Sequence, residues 1–191
     1  MKELIISLIV AISAFACTSN SEEDKSNAEG SMVAATTELD TTVVYWQIDL
    51  DTLNSDSSIQ IGNEYYELEI ATYSLNDSSI SWVNDLSKDV IYLDIYHNRE
   101  TNISLIRQGD TILESIITKS EFEHLFDEEF YSRCQIRNIE FDFVRSNRVY
   151  FNVTLSVPDT DWYEEAAMAI FYRTTKKGQV DYWGLKEEIE E

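Results

Sequence analysis

In RVYFNVTLSVP, residues 148–158, Val149, Phe151, Val153, Leu155 and Val157 fall on one side of an extended chain and Tyr150, Asn152, Thr154 and Ser156 on the other. A period of two with one apolar side is the pattern of a half-buried antiparallel strand. The same alternation runs through EYYELEIATY, where Tyr66, Leu68 and Ile70 point inward and Glu67 and Glu69 outward. VVYWQIDL, DVIYLDIYH, TNISLIR, DTILESIIT, RNIEFDFV and EAAMAIFYRT repeat it. Lys176, Lys177 and Gly178, between the last of these and QVDYW, predict a closing hairpin. Short strands at this spacing predict a mainly β fold, an antiparallel sandwich or a partly open barrel.

One stretch breaks the period. In KSEFEHLFDEEFYSR, Phe122, Leu125, Phe126 and Phe130 form a stripe at helical spacing, and Ser120 followed by Glu123 reads as a capping box. The spacing predicts a single packed helix over about residues 120–132. Glycine is scarce and Pro158 is the only proline, so Asn, Asp and Ser must carry most turns, as in SLNDSS and HNRET.

The start of the chain follows different rules. In MKELIISLIVAISAFAC, Lys2 supplies a positive end, residues 4–12 an apolar run, and Ala14, Phe15 and Ala16 lead into Cys17. Residues 1–16 therefore read as a lipoprotein signal peptide and Cys17 as the acylated first residue of the mature chain. The run is shorter than the roughly 20 apolar residues of a spanning helix, so the expected attachment is through acyl chains on Cys17. Residues 17–42 carry no aromatic side chain and are rich in Ser, Thr, Asp and Glu, the composition of a disordered acidic tether. As a flexible coil, residues 18–42 would span roughly 25 to 30 Å. Glu22, Glu23 and Asp24 resemble the export signal that sends lipoproteins of Bacteroides-type bacteria to the outer face of the outer membrane. The expected location is the extracellular face of that membrane, with the periplasmic face as the alternative. All four tryptophans fall in residues 43–191, which reads as a single β-rich globular domain.

Charge narrows the partners. A net charge of -22 repels phosphate backbones, which argues against nucleic acid and leaves cations, neutral glycans or basic proteins. Chemistry is sparse: there is no HExxH, no paired cysteines, no GxSxG elbow and no glycine-rich phosphate loop, so neither a metal nor a cofactor is expected. Cys134 reads as a buried thiol. Asp49, Asp51, Asn54 and Asp56 in DLDTLNSDSS resemble a calcium loop in their acids alone, with no glycine at the sharp turn and no twelfth-position glutamate. They read better as a solvated strand-to-loop exit.

Glu67 with Glu69, Glu140 with Asp142, and Asp49 with Asp51 each place two acids on one strand face, and glycoside hydrolysis needs just two carboxylates. With 36 acidic residues such pairs arise without any role, so the chain leans away from catalysis. A carboxylate-based glycan-active enzyme is the alternative. Tyr45, Tyr65, Tyr92, Tyr96 and Tyr150 lie on polar strand faces, where rigid rings beside hydrogen-bonding groups suit glycan or protein recognition. Cross-strand pairs on a partly covered face would give the same pattern. Thr41, Thr52 and Thr111 each follow Asp in segments that resemble the short O-glycosylation motif of Bacteroides-type envelope proteins.

NISLIRQGDTILESIITKSEF, residues 102–122, and FNVTLSVPDTDWY, residues 151–163, together resemble an uncharacterised family of Bacteroides-type lipoproteins, a strand-helix-strand arrangement ending in the PDTD turn Pro158–Asp161. The resemblance implies a domain of unknown function and assigns no catalytic residue. The reading that follows is a membrane-anchored binding or interaction module, with a glycan-binding accessory protein as one form of it.

Overall fold

The computed structural model describes residues 40–84 and 90–185. The expected signal peptide, Cys17, the Glu22, Glu23 and Asp24 cluster and the expected tether as far as residue 39 lie outside the described residues. The strands are β1 (Asp40–Tyr45), β2 (Thr52–Ile61), β3 (Glu64–Ser74), β4 (Ile80–Asn84), β5 (Val90–Tyr96), β6 (Arg99–Arg107), β7 (Asp110–Thr118), β8 (Gln135–Arg145), β9 (Arg148–Ser156), β10 (Tyr163–Phe171) and β11 (Val180–Gly184).

Two four-stranded antiparallel sheets, in the orders β2-β3-β6-β7 and β11-β10-β9-β8, form the sandwich. Tyr66, Leu68 and Ile70 of β3 point inward, as their alternation requires, and join Val149, Phe151, Val153 and Leu155 of β9 and Met168 and Ile170 of β10 in one core. Each fully buried aliphatic or aromatic side chain there contributes about 1.5 to 3 kcal/mol relative to exposure. β10 and β11 pair as the closing hairpin. The tight β6–β7 turn sets both Gln108 and Gly109 at positive φ, the conformation that matches strand twist. Elsewhere Asn76, Ser78, Ser146 and Asp159 take left-handed turn positions, consistent with the shortage of glycine.

A third sheet, β1-β5-β4, grows out of the first. β3 and β4 form one arm of a long hairpin, and β5 and β6 the other. Ser74 pairs with Arg99, Leu75 N–H still donates to Asn98 C=O at 2.8 Å, and the ladder resumes at Ile80 opposite Tyr96. The outgoing arm therefore holds extra residues between Leu75 and Ser79, and the hairpin bends there. β1 joins β5 in parallel, with Asp40 opposite Val90. The chain then crosses the bend to start β2 beside β3.

Four sequence expectations change. The parallel β1–β5 pair makes the third sheet mixed. Residues 40–42, read as tether, belong to β1. DLDTLNSDSS is mostly strand: residues 52–61 pair with β3 along their whole length. The helix of residues 120–132 is two pieces, a 3-10 turn at Lys119–Leu125 and α1 at Glu128–Arg133. Phe126 and Asp127 between them are extended, and Asp127 accepts from Phe130 N–H at 2.9 Å, so it begins a new helix instead of continuing one. Ser120 makes no cap; its hydroxyl meets that of Thr118 at 2.6 Å. The stripe still packs inward through fully buried Phe122 and Phe130.

Candidate functional site

The hairpin bend sets strand ends from all three sheets beside one another. Where they meet lies a cavity of about 840 Å³. Val44, Tyr45, Trp46, Gln47 and Asp49 approach from the end of β1 and the crossing segment. Ser74, Tyr96, His97 and Arg99 come from the two arms of the bent hairpin. The second sheet contributes Gln135 and Arg137 at the start of β8, Ser156 at the end of β9, and Val157 to Thr160.

The crossing segment is tied down at Asp49. Its backbone N–H donates to Asn76 Oδ1 and its carbonyl accepts from Asn76 Nδ2, both at 2.9 Å. Arg99 Nη2 donates to its carboxylate at 2.9 Å, closing an ion pair between residues fifty apart in sequence. Asn76 is suited to this work because its positive φ, 51°, is tolerated by asparagine and lets the amide face back along the chain. The opposite wall is the PDTD turn. Asp159 is left-handed there, Thr160 Oγ1 donates to Val157 C=O at 3.0 Å, and Val157 N–H donates to Trp162 C=O at 2.9 Å.

Three rings form a stack, and two of them, Trp46 and Tyr96, line the cavity. Tyr96 lies between Trp46, centroids 4.9 Å apart, and Trp82, 6.2 Å apart. Tyr96 is buried, whereas Trp46 is 42% exposed at the rim and Tyr45 68% exposed beside it. Burial, reinforced by the nearby Asp94 and Asp159 carboxylates, pushes the Tyr96 phenol up to about 12, so it stays protonated at neutral pH. Beside it, His97 Nδ1 accepts from Ser78 N–H at 3.0 Å. Among the described residues, neither His97 Nε2 nor Tyr96 Oη has a hydrogen-bond partner, although both are buried.

The five tyrosines singled out on the sequence separate here. Tyr45 and Tyr96 line this cavity. Tyr65 is exposed on β3 opposite Gln60, Tyr92 is half-buried on β5, and Tyr150 packs against Phe143 at 4.4 Å on the outer face of the second sheet. Thr41, Thr52 and Thr111 are all exposed. Of the paired acids, Glu67 with Glu69 and Glu140 with Asp142 stand exposed on their strands, away from the cavity, and Asp49 is engaged by Arg99 while Asp51 points to solvent. Among the described residues no three His, Cys, Asp or Glu side chains gather as a metal site would need.

Trp46, His97, Arg99 and Arg137 are the site residues that sequence reading did not single out as a group. No local signal could do so, since they come from the crossing segment, the hairpin bend, β6 and β8. His97 and Arg99 carry a partial signal, the turn-forming HNRET. No curated protein matches the chain. The β6–β7 pair that continues the bent arm and the PDTD wall both lie within residues 35–180, the stretch that matches DUF4738, a domain of unknown function. Because that match takes in well over half of the chain, the protein belongs to the DUF4738 family.

Proposed function

We propose that this protein is an acyl-anchored lipoprotein of a Bacteroides-type envelope, displayed on the outer face of the outer membrane, whose domain binds a saccharide at the hairpin bend. One observation carries the binding reading: Trp46 stands partly exposed at the rim of an 840 Å³ cavity fringed by amide, guanidinium, carboxylate and hydroxyl groups. Ligand cavities typically run from about 300 to 1,000 Å³ and combine aromatic faces with a few polar groups that fix orientation. An indole face meets the C–H faces of sugar rings, and Gln47 and Gln135 offer donors and acceptors for ring hydroxyls.

The leader, Cys17 and the acidic cluster Glu22, Glu23 and Asp24 support the location. Thr41, Thr52 and Thr111 stand exposed, as O-glycosylation there would require. Two experiments test the reading. Screening the full chain against a printed oligosaccharide panel should return binders, with Trp46→Ala abolishing the signal and Tyr65→Ala or Tyr150→Ala leaving it in place. Protease treatment of intact cells should digest the protein, whereas a Cys17→Ala version should be released. Resistance until the outer membrane is opened would place it on the periplasmic face.

A further inference from the structure

β1 is the open edge of the third sheet. It stands at the end of the order β1-β5-β4, and all six of its residues, Asp40–Tyr45, are exposed. Trp46 N–H donates to Ile95 C=O at 2.9 Å, so by alternation Thr42 and Val44 also turn their backbone groups toward β5. Thr41, Val43 and Tyr45 therefore present theirs to the outer edge, where among the described residues no strand takes them up.

Such an edge is a template for another chain, and proteins ordinarily blunt it with charge. β2, β7, β8 and β11, the edges of the two larger sheets, each carry charged side chains, Asp56, Glu114, Glu140 and Asp181 among them. β4, the opposite edge of the third sheet, runs beside α1. β1 has no charge beyond Asp40 at its first position, and the rest of it reads TTVVY. The apolar surface continues past it: half of the large hydrophobic side chains exposed among the described residues fall within residues 43–53, with Ile48 69% and Leu50 86% exposed. Apolar side chains gathered in this way mark an interaction surface, whereas single ones need no explanation.

Charge decides the occupant. From Asp40 to Tyr96, the stretch that contains β1 to β5, the chain carries eleven acids, one lysine, Lys88, and no arginine. Within the three strands of the third sheet the charged residues are acids alone, Asp40 and Asp94, the latter on β5 opposite Val44. A second copy would bring two such stretches together and meet repulsion, whereas a basic chain would be attracted. We propose that the free edge of β1 takes up an extended segment of a basic protein as an added strand. The backbone of that segment pairs with Thr41, Val43 and Tyr45, its apolar side chains lie against Val43 and Tyr45, and its lysines or arginines meet the acidic surround. This role stands apart from saccharide binding, which uses the Trp46 ring.

The test is a displayed library of random decapeptides, selected on the full chain and counter-selected on its Val43→Pro variant. Val43 N–H lies on the free edge, so proline there removes no bond to β5 and should leave the fold intact while blocking an added strand. The expected result is enrichment of peptides that alternate apolar residues with lysine or arginine, each binding the parent at least tenfold more tightly than the variant and more weakly as salt is raised. N-methylation of alternate amides in the synthetic peptide should abolish binding in one of the two alternations and spare it in the other, as pairing along one edge requires. Should Val43→Pro fail to fold, Val43→Lys, which keeps the backbone and adds a charge of the partner's sign, should give the same loss and decides alone. Enrichment of acidic or neutral peptides, enrichment of none, or binding that survives both variants would overturn the proposal. So would sedimentation of the full chain as a dimer that Val43→Pro dissolves, since a second copy would then be the occupant.

Discussion

Arg99 at the start of the returning hairpin arm holds Asp49 of the crossing segment at 2.9 Å, and this ion pair locks the chain across the bend that shapes the cavity. Both side chains are partly exposed, so the pair itself contributes at most about 1 kcal/mol. Asn76 does more. It makes two hydrogen bonds to the Asp49 backbone from a left-handed position that alanine adopts poorly. Asn76→Ala should lower stability by about 2 kcal/mol and Arg99→Ala by about 1 kcal/mol or less, measured by urea unfolding. A larger loss for Arg99→Ala would mean that the ion pair, and not the amide, fixes the crossing.

Thr72 and Thr101 sit opposite one another on β3 and β6, buried, with their hydroxyls 2.8 Å apart. Removing one hydroxyl leaves the other buried without a partner, at a cost of about 1 to 3 kcal/mol. Thr101→Val should therefore destabilise measurably in thermal unfolding. The Thr72→Val, Thr101→Val double variant should recover most of the loss, because valine keeps the shape and removes both polar groups. Additive losses in the double variant would refute the pairing.

The sandwich was legible because alternation reports directly on burial: Tyr66, Leu68 and Ile70, and the five inward residues from Val149 to Val157, all point where the period places them. The broken helix was not, because the apolar stripe from Phe122 to Phe130 keeps helical spacing whether or not the backbone between is helical. Asp127 decides the matter by capping. The start of β2 carries no apolar signature, because its first seven residues, Thr52 to Ser58, stay exposed where they pair with β3. The cavity was least legible. Tyr45 and Tyr96 could be chosen by residue type, but their companionship with Trp46, His97 and Arg99 depends on where a hairpin bends, and the extra residues of that bend are ordinary turn residues.

Cys134 is fully buried, and burial raises its thiol from the ordinary 9.0 to about 11, with nearby Lys119 opposing the shift. The native thiol thus holds its proton more tightly than the unfolded one, so its stabilising effect is complete below pH 9 and fades as pH rises through 11. Between those values the loss should reach roughly 2 to 3 kcal/mol. Cys134→Ala should flatten this part of the stability curve, followed by chemical denaturation from pH 8 to 11. At pH 8 the native thiol should also resist alkylation until the chain is unfolded; rapid labelling of the native protein would contradict its burial.

Lys119 closes the end of α1, donating to Tyr131 C=O at 3.1 Å and Cys134 C=O at 3.0 Å while its ammonium lies 5.0 Å from the Tyr131 ring centroid. These carbonyls lie at the helix end that favours a cation. Lys119→Met keeps the aliphatic stem and removes the donors, and should cost about 2 kcal/mol in urea unfolding. An unchanged midpoint would show that water replaces the ammonium without loss.

Amide shift mapping tests binding at the cavity of the bend most directly. The isotopically labelled full chain would be titrated with the tightest-binding oligosaccharide of the panel. The predicted result is perturbation concentrated in residues 44–49, 96–99, 135–137 and 156–160, with the Trp46 indole N–H among the largest shifts. Perturbation centred instead on the exposed face around Tyr65, or on the Phe143 and Tyr150 stack of the second sheet, would contradict it.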